Sequence, residues 1–419
     1  MLHILCLTLL QNLLEYAKIV TLMRRIAIAS LAAPHEILRT EWSFIMNKKE
    51  VLEIRKQFSP ENCAITRICG CYVNGDKEKQ MEFKEAFLSL PEEETFKYFE
   101  IFKKSLSGTI GKNLIHMEFP LEQELSGGTQ ELLRNLKESK LTDDILLEEF
   151  YDKVVEYYDF GEHYLVLLIH AVYDIPGRAS DGSEMFDASD SVYEHILCCI
   201  CPVALSKAGL CYNPAANSIQ DRIRDWVVGE PANAFLFPAF NDRAADLHHL
   251  LFYSKKPENL QDYFVASVLG CSEVMTAGSQ KESFQDIIVN TLKEDCDYSV
   301  IRTIHENLNE MIEESKEEPE PLALGKQEVK KLLTASGIPE EKLETFEKDY
   351  NETIGAHGLL LASNIAETKK FSIKTPEVVV NVNPERSDLV DIQIIDGRKC
   401  LVIPIDNEVE VNGISVNAK

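Results

Sequence analysis

Three histidines, at 163, 170 and 195, lie on or beside two long apolar runs, HYLVLLIHAVYDI from His163 and VYEHILCCICPVAL from Val192. The stretch between the runs, PGRASDGSEMFDASD from Pro176 to Asp190, carries Asp181, Asp187 and Asp190. Imidazoles facing carboxylates could hold a metal and activate water, so a metal-assisted hydrolase is one expectation. Against it, His163 and His170 are seven residues apart, and a regular strand sends such a pair to opposite faces. A second polar cluster joins Asn241-Asp242-Arg243 to Asp246, His248 and His249. Its hydrolase-like use competes with a capped turn held by an Asp to Arg pair, because Asn and Asp favour turns through local hydrogen bonds.

Cys69 and Cys71, with Cys199 and Cys201, could offer four thiolates to a metal if their strands lay side by side. Alternate residues on a strand stand about 6.6 Å apart, whereas tetrahedral zinc wants sulfurs roughly 3.8 Å apart. The spacing therefore predicts buried cysteines behaving as small hydrophobes, with no metal and no cofactor. No G-x-S-x-G elbow, Walker loop or H-E-x-x-H motif occurs, and Ser126-Gly127-Gly128 is too short to cradle a phosphate. No catalytic residue is assigned. For contact with nucleic acid or a protein partner, the candidates are Arg222 and Arg224 beside Trp226, together with Arg243, and Lys255-Lys256 after Tyr253. Arginines near an aromatic ring can grip a phosphate or stack a base, or they can be solvated charges paired with Asp221 and Asp225.

The elements that must position these residues belong to a chain of 419 residues, long enough for two or three packed units. It has 43 Lys and Arg against 69 Asp and Glu, a formal charge of -26. Such an excess repels nucleic-acid phosphates and anionic lipid at long range, so any contact with them needs a local basic patch. Eleven cysteines, scattered among apolar neighbours, fit a reducing cytoplasm. After residue 45 no run reaches the roughly 20 apolar residues of a membrane helix, so no membrane partner is expected.

The first 45 residues read as an upstream extension from a misassigned start codon, or as an undocked arm. No Lys or Arg precedes the first apolar run, unlike a signal peptide. Met46 is followed by NKKEVLEIRKQF, an amphipathic helix, and residues 46–160 read as an N-terminal hairpin and helices. The hairpin turns at Asn74-Gly75-Asp76. Pro91 opens a helix with Phe96, Phe99 and Phe102 as its apolar stripe, and two more helices cover Leu121 to Lys137 and Thr142 to Tyr158, the latter capped by Thr142.

Residues 161–318 read as a central antiparallel sheet with helices. The two apolar runs are strands buried on both faces, joined by a long polar loop over Pro176 to Asp190. Further strands start at Ala234 and Asp246, and helices cover Leu260 to Leu269 and Gln280 to Leu292. Residues 319–419 read as a helix pair, closed by Gly337 and Gly355, and strands with a hairpin at Asp396-Gly397. The fold class is α+β: an antiparallel meander with flanking helices, plus a small C-terminal helix-pair and β-hairpin unit.

Four segments, NCAITRICGCYV, YEHILCCICPVALSKAGLCYN, IRDWVVGEPANAFLFPAFNDR and NPERSDLVDIQIIDGRKCLVIPI, carry a resemblance to an uncharacterised bacterial domain-of-unknown-function family, number four-three-one-seven. It runs from Met46 nearly to the end. More distantly, the order of parts, with Leu269-Gly270-Cys271-Ser272-Glu273 between two helices, resembles the bacterial nucleoid-associated protein family. That likeness implies association with the chromosome or a nucleoid protein rather than catalysis. The leading expectation is therefore a non-enzymatic, nucleoid-associated-like cytoplasmic protein acting through DNA or protein contacts. The metal-assisted hydrolase and an acidic DNA mimic binding a basic partner are the alternatives. The oligomeric state is not readable from the residues.

Overall fold

The computed structural model describes residues 46–178, 184–356, 358–404 and 409–416. The upstream segment 1–45 and Asp181 lie outside the described residues, as do the side chains of Asp187 and Asp190.

Why the two apolar runs lie at the centre follows from their composition. Every side chain from Tyr164 to Ala171 and from His195 to Cys201 is buried, so both faces of these strands need cover. They form β4 (Tyr164–Arg178) and β5 (Glu184–Leu205), paired antiparallel. Around them run β1 (Ile65–Val73), β2 (Lys79–Ala86), β3 (Leu114–Glu118), β9 (Asn233–Phe237) and β12 (His249–Ser254), in the order β2-β1-β4-β5-β9-β12-β3. An eighth strand, β8 (Trp226–Val228), pairs with the far end of β5. The sheet is antiparallel throughout and the molecule is α+β, as its sequence predicts. Strands from before and after residue 160 share this one sheet.

Helices cover both faces. One face packs Cys69, Cys71, Val166, Leu168 and Phe235 under α3 (Thr129–Glu138) and α4 (Asp144–Tyr157). The opposite face packs Ile68, Leu167, Leu197, Cys199 and Leu236 under α1 (Lys48–Lys56) and α2 (Glu92–Ser105). A third core is helical, built from α5 (Ala277–Leu292), α6 (Tyr298–Glu314), α7 (Lys326–Ala335) and α8 (Glu340–Thr353). The side chain of Asn364 ties this unit to the sheet, donating to Gly111 O at 2.9 Å and to Gln280 Oε1 at 3.1 Å.

Several local expectations need correction. The first hairpin does not turn on Asn-Gly geometry: Asn74 Oδ1 accepts from Asp76 N and Glu78 N, and the left-handed residue is Lys77 at φ 62°. Asp143, not Thr142, caps α4, accepting from Ile145 N at 2.9 Å. The helix expected from Leu121 is split at Gly127-Gly128 into a single turn and α3. Phe96 is 44% exposed, so only Phe99 and Phe102 of that stripe reach the core. The long polar loop is largely absent, because β4 and β5 continue as a ribbon, with Pro176 opposite Ser189 and Arg178 opposite Glu184. The stretch from Leu260 is helical as expected from Asp262 on, but its first turn, Asp262–Phe264, widens into a π-helix over Val265–Leu269. Gly270 closes it at φ 70°, where a Cβ would stand 1.8 Å from Thr129 Oγ1.

Other expectations hold. The helix pair stands, with Gly337 and Gly355 at positive φ. Asp396 and Gly397, at φ 51° and 75°, form the two-residue turn between Asp391–Ile395 and Arg398–Val402. No helix among the described residues is long and apolar enough to cross a membrane.

Candidate functional site

The central histidines do not converge. His170 lies on the face covered by α3 and α4, with Nδ1 2.6 Å from Thr66 Oγ1 and Nε2 2.9 Å from Glu194 Oε1. Burial lowers its pKa against the pull of the Glu194 carboxylate. His195 points to the opposite face, fully buried and stacked on Tyr193 with ring centroids 4.5 Å apart. Burial pushes it down to about 3, so the ring is neutral. His163 sits at the end of the sheet, with Nδ1 2.7 Å from the Tyr72 hydroxyl. The strand period that separated His163 from His170 in the sequence thus separates His170 from His195 as well.

The thiols are also divided. Cys69 and Cys71 face α3 and α4, while Cys199 and Cys201 face α2. β4 runs between the two pairs, and burial drives all four thiols up, Cys69, Cys71 and Cys199 to about 12. Among the described residues no group of three or more His, Cys, Asp and Glu could hold a metal ion.

The second polar cluster is a tight hairpin, β10 (Ala239–Asn241) and β11 (Ala244–Asp246), with Asp242 and Arg243 left-handed at φ 52° and 55°. Arg243 pairs with Glu53 of α1, at 3.1 Å, rather than with an aspartate of the turn, and also donates to Pro176 O. Tyr173 donates to the same Glu53 oxygen at 2.9 Å. Asp246 accepts from Asn241 Nδ2 at 2.6 Å and lies 2.7 Å from His249 Nδ1. Burial opposes its ionisation, yet the His249 and Asn241 hydrogen bonds hold the carboxyl below its usual range. These contacts fasten the hairpin to α1 and the sheet.

Arg222, Arg224 and Trp226 come together elsewhere, and Arg243 is not with them. The end of β5 leaves the packed sheet and continues into a ribbon. Val203, Ala204 and Leu205 pair with Val228, Val227 and Trp226. Ser206 N then donates to Asp225 O and Arg222 N to Gly209 O, and β6 (Leu210–Asn213) pairs with β7 (Ser218–Asp221) out to the tip. Along it Leu210, Ile219 and Ile223 are exposed by 77%, 64% and 80%, and Trp226 by 49%. Arg222 and Arg224 are exposed on the same ribbon, Arg224 Nε donating to Ser206 O at 2.7 Å. Trp226 is seated on His163 with ring centroids 4.2 Å apart, and His163 stacks in turn on Tyr72 at 5.8 Å.

Beside β8 a groove of about 930 Å³ opens against α2. Tyr98, Ile101, Leu165 and Val228 give it apolar walls. The arginines and Trp226 were legible as candidates, but the groove was not.

A family model described as "Domain of unknown function (DUF4317)" matches residues 46–414. No curated protein matches, and the more distant likeness to nucleoid-associated proteins finds no support.

Proposed function

The chain belongs to this family of unknown function, and from that premise we propose a non-enzymatic binding protein that acts through protein contacts made by the ribbon over residues 203–228. One observation carries the reading. A two-stranded ribbon exposed on both sides is marginal in water by itself, yet this one presents Leu210, Tyr212, Ile219, Ile223, Trp226 and Val227 to solvent. Apolar surface of that kind marks protein contact sites. The separation of His163, His170 and His195 supports the same reading, because His170 and His195 face opposite sides of the sheet and His163 lies eight strand residues, roughly 27 Å, from Ala171, the residue paired with His195, whereas metal-assisted hydrolysis needs its ligands together.

Direct DNA binding is the weaker form. The formal charge of -26 opposes phosphate approach, and Arg222 and Arg224 stand next to Asp221 and Asp225. Any association with the nucleoid, which rested only on the unsupported distant likeness, would on this reading run through a protein partner.

A photo-crosslinking residue placed at Ile223 or Val227 in cells tests the proposal, with Leu88, 77% exposed on another part of the molecule, as control. Discrete protein adducts from the ribbon positions and none from Leu88 are expected. Adducts to DNA, or the same adduct pattern from all three positions, would overturn it.

A further inference from the structure

The direction of the main-chain groups in β8 adds a partner chemistry to the ribbon, an inference that rests on the binding reading above. Gly229 N donates to Pro202 O and Ser206 N donates to Asp225 O. In an antiparallel ladder, bonded and non-bonded pairs alternate. The pairs Val203–Val228 and Leu205–Trp226 are therefore the non-bonded ones, and Val227 is the residue that bonds to Ala204. The donation from Val203 N to His163 O, on the other side of β5, agrees with this phase. Trp226 and Val228 consequently aim their N–H and C=O groups away from β5. β8 pairs with no other strand among the described residues, so the sheet ends there in an open edge.

The groove against α2 opens beside that edge, over the face of the sheet from Val228 back to Leu165 on β4. Its rim holds Glu93, Glu94, Glu100 and Glu230 against Lys97 and Lys104. Both lysines already lie near rim carboxylates, Lys104 at 3.4 Å from Glu230 and Lys97 at 3.8 Å from Glu100. Glu230 also pairs with Lys255 at 3.0 Å, so four carboxylates meet three lysines and one negative charge remains in excess, within a chain of formal charge -26. A second copy would bring the same sign of charge to the same rim, whereas a cationic segment would neutralise it.

We propose that β8 is a docking edge for an extended, basic segment of a partner protein, which adds as a strand on Trp226 and Val228 and turns its apolar side chains toward Tyr98 and Ile101 of α2. Main-chain bonds give such strand addition its affinity, and the pockets for alternate side chains give it selectivity.

The test uses the full chain and two capped peptides of about six residues, one alternating valine and lysine and the other valine and glutamate. Calorimetry is expected to show the lysine peptide binding at least about tenfold tighter, with salt weakening it. Hydrogen exchange at the Trp226 and Val228 amides should slow in the complex. Val228→Pro removes only the outward N–H and should abolish binding, and Glu93→Lys with Glu100→Lys, both on the surface of α2, should reverse the peptide preference. Equal binding of the two peptides, or binding without protection of those amides, would overturn the proposal. So would a dimer in sedimentation that Val228→Pro dissolves. If the ribbon crosslinks in cells to proteins lacking a basic extended segment, strand addition fails while the binding reading stands. If it crosslinks to nothing, the binding reading itself fails.

Discussion

The ring of His163 lies under Trp226, centroids 4.2 Å apart and planes tilted by 34°. His163 stands at the foot of the buried β4, so this contact joins the exposed ribbon to the rigid sheet. The indole is half exposed, and its outer side is available to a partner.

Trp226→Ala should therefore separate stability from binding. Loss of a half-exposed ring is expected to cost about 1 kcal/mol or less in urea denaturation. Crosslinking from Val227 should fall to the level of the Leu88 control. A variant that unfolds outright would show instead that the indole is a structural part of the sheet.

Acid should destabilise the protein through its buried imidazoles. His195 is held down to about 3 and His116 to about 4 by burial, against the ordinary 6.5 that both regain on unfolding. Both groups are depressed, so the unfolded chain binds more protons below pH 6.5. Their contribution is complete above that pH and falls as pH drops toward 4. Each histidine can add a slope of up to about 1.4 kcal/mol per pH unit. His195→Phe should flatten the dependence of the urea midpoint on pH between 4 and 6.5, and an unchanged slope would refute the assignment.

Glu53 accepts from both Arg243 and Tyr173, and Arg243 is only 13% exposed. Glu53→Ala leaves the guanidinium without its carboxylate and should cost about 3 kcal/mol. Adding Arg243→Leu removes the stranded charge and should recover part of that loss. Equal stability of the single and double variants would mean that the pair is not coupled.

Gly270→Ala meets two obstacles, a left-handed backbone at φ 70° and the hydroxyl of Thr129. A loss of about 2 kcal/mol or more is expected. Thr129→Ala should relieve the steric part only, so the double variant should remain below the wild type by about 1 kcal/mol. Thermal unfolding followed by circular dichroism measures both.

The residues themselves fixed a good deal. Continuous apolar runs of thirteen and fourteen residues from His163 and Val192 demand cover on both faces, and that demand alone made them the centre of a two-sided sheet. Asp396-Gly397 announced its turn because the left-handed pair it needs is a property of those two residues. The odd spacing of His163 and His170 warned that they would not share a site, since strand period acts within a few residues. What sequence could not decide was the partner across space. Arg243 chose Glu53, 190 residues away, over the aspartates beside it. The polar stretch after Ile175 became ribbon because β4 and β5 carry each other past the end of the core. The open edge of β8 and its groove depend on where β5 outruns β9 and where α2 comes to rest. Those are outcomes of packing between distant segments, and only the tertiary structure holds that information.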